Sequence, residues 1–135
     1  MNLETSLKIA AAGMHAQSAR LRVTAENLAN AQSTGQTPGA DPYRRKTISF
    51  ANVLDRATGA ELVEVRRYGV DRAPFEMRFE PSHPAANAEG YVAYPNVSPL
   101  VELMDMREAQ RSFEANLTAR QQASDMLKRT LDLLR

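Results

Sequence analysis

The feature that most constrains this chain is a seven-residue apolar repeat at both of its ends. Near the start, the repeat is Leu7, Met14, Leu21 and Leu28. Near the end, one heptad row holds Met106, Phe113, Leu127 and Leu134, and the adjoining row holds Leu103, Leu117 and Leu131. An apolar repeat of seven keeps one face of a helix turned toward a partner helix. The chain is therefore predicted to form two long helices that pair with each other, or with copies and relatives.

Capping residues and breakers set the expected limits of the two helices. Asn2 is a suitable N-cap, and the helical pattern continues from it to Asn30. Ser98 followed by Pro99 is a second start signal, because a hydroxyl cap and a proline at the first helical position occur together. Neither Gly nor Pro follows before Arg135, so the second helix is expected to reach the end of the chain.

Small side chains beside the first leucine row predict how closely a partner helix can approach. The small positions are Ala10, Ala11, Ser18 and Ala25. Polar residues also interrupt the heptad rows, and such residues specify register at some cost in stability. These are Gln17, Gln110, Arg120 and Ser124.

The middle of the chain, residues 31–96, is predicted to be a loop followed by a small β-rich region. Phe75, Met77 and Phe79 alternate with charged residues, which is the pattern of a half-buried strand. Gly69 to Ala73 is expected to join this strand to Glu61–Tyr68 as a hairpin. The predicted fold class is α+β and mainly α, with long terminal helices packed as a coiled-coil-like pair. Residues 1–30 and 97–135 would form a discontinuous helical assembly domain.

The charge balance disfavours nucleic acid or an anionic membrane as the main partner. Lys and Arg number 17 and Asp and Glu number 16, so the net charge is +1. Arg44, Arg45 and Lys46 form a local basic cluster. This cluster is interpreted as a solvated strand edge or a protein contact, rather than a site for nucleic acid.

No constellation of residues points to catalysis, a cofactor or a metal. His15 and His83 lie in different regions, and the chain has no Cys and no common catalytic motif. His83, between two prolines, is expected to bond backbone rather than metal. A hydrolase that uses His83 with a nearby carboxylate is the remaining enzymatic hypothesis, and it is disfavoured.

The sequence offers neither a membrane span nor a convincing signal peptide. No apolar stretch approaches the about 20 residues that a bilayer requires. The small apolar run Ile9–Ala16 follows Glu4 and contains or adjoins other polar residues, unlike the core of a cleaved signal.

A self-assembling structural subunit explains these features best. The terminal heptad rows have two interpretations, a helical hairpin within one subunit and packing between subunits, and both can hold. The alternative function is a soluble helical-hairpin adaptor or chaperone-like binding module. The predicted assembly interface consists of Leu7, Met14, Leu21, Asn27, Leu28, Asn30, Leu103, Met106, Phe113, Asn116, Leu117, Leu127 and Leu131.

Several motifs in order along the chain resemble those of the bacterial flagellar axial proteins, and most closely the proximal rod subunits. The first helix ends in Asn27-Leu28-Ala29-Asn30-Ala31, a signature that rod, hook and filament-cap proteins share. The other matching stretches are Ala11–Gln17, Pro42–Lys46, His83-Pro84 with Gly90–Val92, Pro95–Val97, Glu102–Met104 and Arg111–Asn116. The segment Ala51–Gly59 is shorter and plainer than the family pattern.

This resemblance implies a mechanical role in the basal body of the bacterial flagellum. Such proteins build a tubular drive shaft that transmits torque and leaves a central export channel. They are exported through the flagellar type III apparatus without a cleaved signal and assemble in the periplasm. The implied partners are other rod proteins, the adaptor at the rod base and the export apparatus, in homo- and hetero-oligomers without membrane insertion. No cofactor is implied.

Overall fold

Two long helices and two β-ribbons make up the fold in the computed structural model, which describes residues 2–135. The elements in chain order are α1 (Leu3–Ala29), β1 (Lys46–Asp55), β2 (Ala60–Val70), β3 (Glu76–Phe79), β4 (Tyr91–Tyr94) and α2 (Pro99–Leu133). The predicted α+β class, rich in helix and with a small β-rich middle, is confirmed.

The predicted capping residues are present at both helix starts. The Thr5 backbone N–H donates to Asn2 Oδ1 over 2.7 Å, which satisfies one of the free donors in the first turn of α1. The Ser98 carbonyl accepts the first backbone bond of α2 from Glu102, over 3.1 Å, and Pro99 is the first helical residue. These local signals explain why both helices begin where the sequence predicts.

The first ribbon is a hairpin of β1 and β2, a pairing that the sequence does not predict. The four-residue turn 56–59 closes with a 2.7 Å bond from Gly59 N to the Asp55 carbonyl. Gly59 has φ +70°, a conformation that glycine adopts without steric cost. Strand β1 therefore continues through the plain stretch after Phe50, where no strand is predicted.

The second ribbon pairs β3 with β4, which corrects the predicted hairpin between Glu61–Tyr68 and the Phe75–Phe79 strand. Phe79 lies opposite Tyr91, and Arg78 lies opposite Val92. The buried cluster of this region consists of Ala85, Val92 and Tyr94. The earlier hairpin prediction fails because β2 forms its ladder with β1 instead.

The alternation in β3 exists, but its apolar face is not the buried one. Met77 is 51% exposed and Phe79 is 64% exposed. The guanidinium of Arg78 lies 4.1 Å from the centre of the Tyr94 ring, so the charged face of the strand turns toward the core. The prediction of a half-buried strand with Met77 and Phe79 inside is therefore wrong.

The chain divides into two compact units, and each mixes helix and strand. Unit 1 comprises residues up to Leu21, Ile48–Arg67 and Arg107–Arg135. Unit 2 comprises Arg22–Thr47 and Tyr68–Met106. The predicted separation into a helical domain and a β-rich domain stays a prediction about folding. Neither helix in residues 2–135 has the length and apolarity needed to cross a membrane.

Candidate functional site

Asn27 organises the interior of unit 2. Its side chain is completely buried at 0% exposure. Its Oδ1 accepts from the Tyr43 hydroxyl over 2.7 Å and from the Lys46 backbone N–H over 2.8 Å. Its Nδ2 donates to the Lys46 carbonyl over 2.9 Å and to Glu102 Oε2 over 3.4 Å. All four bonding positions of this amide are filled, so Asn27 joins α1, the start of β1 and α2.

Glu102 is the buried carboxylate that completes this network. Its side chain is 0% exposed and forms an ion pair with the guanidinium of Arg45. Arg45 also lies 3.7 Å from Asp71 and 3.9 Å from Asp105, measured between nitrogen and carboxylate oxygen. A buried charge is tolerated only when it is paired and hydrogen-bonded, and Glu102 meets both conditions.

Tyr43 acts in this network as a hydrogen-bond donor. Burial raises the pKa of Tyr43 above its ordinary value, and the nearby Glu26 carboxylate raises it further. The hydroxyl therefore keeps the proton that it donates to Asn27. The sequence contains no periodic signal that identifies Tyr43, Arg45 or Glu102 as network members.

The side chains of the basic cluster at the start of β1 form contacts within unit 2. Arg44 stacks on the Phe75 ring, 4.1 Å from its centre, and donates to the Asp71 carbonyl over 3.0 Å. Lys46 forms an ion pair with Glu26. The interpretation of the cluster as a solvated strand edge is therefore wrong for Arg44 and Arg45, because their charges are satisfied by the chain itself.

The second asparagine of the signature has a different task from the first. Asn30 Nδ2 donates to the Glu26 carbonyl over 2.9 Å, and Asn30 Oδ1 accepts from the Ser33 hydroxyl over 3.0 Å. Asn30 thus satisfies backbone at the end of α1 and fixes the turn that follows. The stretch Asn27–Asn30 combines a network residue and a helix-end residue.

In unit 1, α1 and α2 approach each other through small side chains. A Cβ atom added at Gly13 would lie 2.8 Å from the side-chain amide of Asn116. One heptad further along α1, Arg20 pairs with Glu108 over 3.4 Å, so the two helices run antiparallel there. The approach at this level depends on Gly13, and Ala16 and Ala19 further along α1 are also buried.

The predicted row of small residues lies mostly on the open side of α1, and its contact with a partner helix stays a prediction. Of that row only Ala10 is buried, whereas Ala11, Ser18 and Ala25 are exposed. Gln17 brings its Oε1 atom into the interior, where no partner is found for it in residues 2–135. The α1 residues that are buried within the chain, such as Ala16 and Ala19, therefore lie beside the heptad row rather than on it.

The residues of the predicted assembly interface lie in three different environments. Asn27 is buried within the chain. The half-buried members are Leu7, Met14, Leu21, Leu28, Asn30, Met106, Phe113, Asn116 and Leu117. The exposed members are Leu103, Leu127 and Leu131. Their role between subunits stays a prediction.

The last turns of α2 carry an apolar stripe that nothing in the described chain covers. Every residue from Asp125 onward is exposed. Leu127 and Leu131 lie four residues apart on one side of α2, and Leu134 follows in the turn that ends the helix, where its N–H donates to the Leu131 carbonyl over 3.2 Å. We call these three residues the tail stripe. Exposed leucines in heptad spacing are typical of a helix that packs against a partner.

The histidines occupy structural or surface positions. His83 Nδ1 accepts from the Ala85 backbone N–H over 3.0 Å, which confirms the expectation that its ring bonds backbone. His15 is exposed on α1. No group of three or more His, Asp or Glu residues in the described part of the chain could hold a metal ion.

Comparison with known proteins shows that this sequence is similar to flagellar rod proteins. The model of the family "Flagellar basal body rod FlgEFG protein C-terminal" matches residues 88–133, which include α2. Curated relatives named "Flagellar basal-body rod protein FlgC" match along nearly the whole chain. The relative from Agrobacterium fabrum is 51% identical over 133 residues, covering 98% of this chain and 96% of its own length.

More distant organisms have relatives of the same name. The relative from Salmonella typhimurium is 39% identical over 136 residues, with 98% of each chain covered. The relative from Bacillus subtilis is 36% identical over 143 residues, with 95% of each chain covered. The similarity therefore extends across both compact units.

Proposed function

This chain belongs to the FlgC family of flagellar basal-body rod proteins, and on that premise we propose that it is a structural subunit of the rod. The observation that carries the proposal is the full-length similarity to rod proteins, which includes both helices and both ribbons. A mechanical role agrees with the buried network around Asn27 and Glu102, since a satisfied polar network specifies one arrangement of the elements that it joins.

We further propose that the subunits form a tubular shaft that transmits torque and leaves a central channel for export. Heterologous contacts repeated by a screw operation produce an open-ended tube. The partners in this proposal are copies of the chain, other rod proteins, the adaptor at the rod base and the type III export apparatus. The location is the periplasmic part of the basal body, reached without a cleaved signal.

The tail stripe is proposed as one of the assembly contacts. Leu131 is 56% exposed and Leu134 is 80% exposed, and they lie on a segment without a single buried residue. Covering such leucines stabilises an assembly by about 1.5–3 kcal/mol for each side chain that becomes fully buried. The half-buried heptad residues of α1 would contribute a second contact from the same helix pair.

A motility test separates this proposal from the adaptor alternative. The gene for this chain is replaced by a variant carrying Leu127→Asp and Leu131→Asp, and the matched control carries Arg129→Asp on the same helical segment. We expect the leucine variant to be expressed and folded but absent from isolated basal bodies, with motility lost. The control is expected to swim. Motile cells whose basal bodies contain the leucine variant would refute the tail contact.

Absence of the unmodified chain from isolated basal bodies would refute the rod function itself. The adaptor alternative predicts that result together with a compact monomer or small closed oligomer in solution. The comparisons do not favour this alternative, because the full-length relatives are named as rod proteins.

A further inference from the structure

The second ribbon has a charged face turned inward and an apolar face turned outward. Directly opposed residues of an antiparallel pair share a face, so Met77, Phe79, Tyr91 and Ala93 lie on one side. On the other side, Val92 is fully buried and Arg78 lies over the Tyr94 ring. A slip of one residue would exchange these faces and bury the apolar set. The observed register therefore leaves an apolar surface for another molecule to cover.

We call Met77, Phe79 and Tyr91 the ribbon patch. Their exposed fractions are 51%, 64% and 42%. The Phe79 and Tyr91 rings pack edge to face with centres 5.3 Å apart, which holds them together as a single surface. The open face is therefore a preformed aromatic platform, and binding to it requires little additional ordering of side chains.

The first turns of α2 carry a second uncovered apolar surface in the same unit. Leu100, Leu103 and Met104 lie on one side of the helix and are 68%, 44% and 62% exposed. Val101, at 48%, adjoins them. We call these four residues the helix patch. The helix patch is aliphatic, whereas the ribbon patch is mainly aromatic.

We propose that the ribbon patch of one copy binds the helix patch of a second copy. An aliphatic helix ridge packed on a sheet face is a common way to bury both surfaces. Because the two patches differ, the contact is heterologous, and each copy can use both patches at once. This inference rests on the proposed rod function only in placing the contact within an open-ended assembly.

Charge at the margins favours this pairing. Glu89 is exposed two residues before Tyr91, at the edge of the ribbon patch. Arg107 is exposed one helical turn beyond Leu103 in α2. Opposite charges at the rim of an interface fix its register and raise the rate of association. The acid lies beside one patch and the base beside the other, so a heterologous contact between copies can bring the two charges together.

The area of the contact explains why it belongs to an assembly rather than to a dimer. Seven side chains that each cover about 100 Å², half of what a large aromatic side chain presents, amount to about 700 Å². A stable pairwise complex buries about 1,200–2,000 Å². The contact is thus weak alone and gains strength when it is repeated along with other subunit contacts.

Single cysteines test the pairing directly, because the natural chain contains none. Full-length Phe79→Cys protein is mixed with Met104→Cys protein at high concentration and oxidised. The control mixture pairs Phe79→Cys with Gln110→Cys, which is exposed on the same helix but outside the helix patch. We expect a clear excess of the mixed disulfide dimer in the test mixture.

Two results of this experiment would overturn the proposal. One is a yield of mixed dimer equal to the control at every concentration. The other is predominant dimerisation of Phe79→Cys with itself, which would indicate a two-fold contact between ribbons. Charge variants sharpen the result: Glu89→Arg on the first chain or Arg107→Glu on the second should each lower the yield, and the two together should restore it.

Basal bodies separate failure of this contact from failure of the rod function. Cells producing the double variant Phe79→Cys with Met104→Cys are oxidised, and their basal bodies are isolated. A ladder of disulfide-linked copies within the basal body supports the proposal. If the chain is present there without cross-links between copies, the rod function stands and this inference fails. If the unmodified chain is absent from basal bodies, the rod function fails, and the purified mixtures decide the inference independently.

Discussion

The two compact units hold α1 and α2 together by different means. In unit 2, the helices meet through the charged and amide groups of Asn27, Glu102 and Arg45, all satisfied by partners. In unit 1, they approach closely where Gly13 has no side chain and Asn116 lies against it. Large leucines dominate neither contact. This difference teaches that small and polar residues fill the fully buried positions of the two helices, whereas the heptad leucines of α2 at Leu103, Leu127 and Leu131 stay exposed for other surfaces.

The largest expected effect comes from removing the buried carboxylate of unit 2. Glu102→Ala removes the buried ion-pair partner of Arg45 and one of the two acceptors of the Asn27 amide, and we expect the free energy of unfolding to fall by about 3 kcal/mol. Urea unfolding followed by circular dichroism measures the change. The control is Glu108→Ala, whose carboxylate side chain is 66% exposed and should contribute no more than about 1 kcal/mol. Equal losses in the two variants would contradict the distinction between the units.

The next largest change in unfolding free energy is expected from the two asparagines of the signature at the end of α1. Asn27→Ala removes four hydrogen bonds and leaves the Lys46 backbone unsatisfied, so we expect a loss of about 2–3 kcal/mol in unfolding free energy. Asn30→Ala removes a helix-end contact and should cost about 1 kcal/mol. The same urea measurement applies. A greater loss for Asn30→Ala would show that the signature acts mainly by ending the helix.

A smaller effect tests the close approach in unit 1. Gly→Ala in an open helix raises stability by about 1 kcal/mol. At Gly13 this gain should be lost, because the new Cβ meets the Asn116 side chain at 2.8 Å. In an Asn116→Ala background, Gly13→Ala should recover its gain, with a coupling of about 1 kcal/mol between the two sites. Additive effects in this double-mutant cycle would show that the helices do not depend on Gly13 for their approach.

The smallest effect concerns the exposed turn of the first ribbon in unit 1. A hydrogen bond from Thr58, the Ala57 backbone N–H and nearby Lys8 lower the pKa of Asp55 below its ordinary value. A carboxyl group whose pKa is lower in the folded state than in the unfolded state stabilises the fold at pH values above its unfolded-state pKa. This stabilisation is lost as the pH falls through the folded-state pKa. The stability difference between the wild type and Asp55→Asn should therefore shrink as the solution is acidified. A stability difference that stays constant across the acid range would contradict this prediction.

Local signals predicted much of the helical part of this protein, and distant contacts decided the rest. Asn2 and Ser98 identified both helix starts, because caps act within one turn. The β3 pattern identified a strand but assigned its faces wrongly, since alternation does not state which side meets the core. The network was missed because Asn27 bonds residues 19 and 75 positions away, and nothing in the local pattern links them.

By itself, the sequence determined where the helices lie, that their apolar residues repeat every seven positions, and to which family of proteins the chain is similar. Those properties depend on neighbours within one or two helical turns, or on motifs in order along the chain. Only the tertiary structure decided which face of each helix is buried, how the four strands pair, and which apolar surfaces remain open. Those outcomes depend on whether distant side chains fit and satisfy one another, and a heptad repeat specifies spacing without specifying the partner.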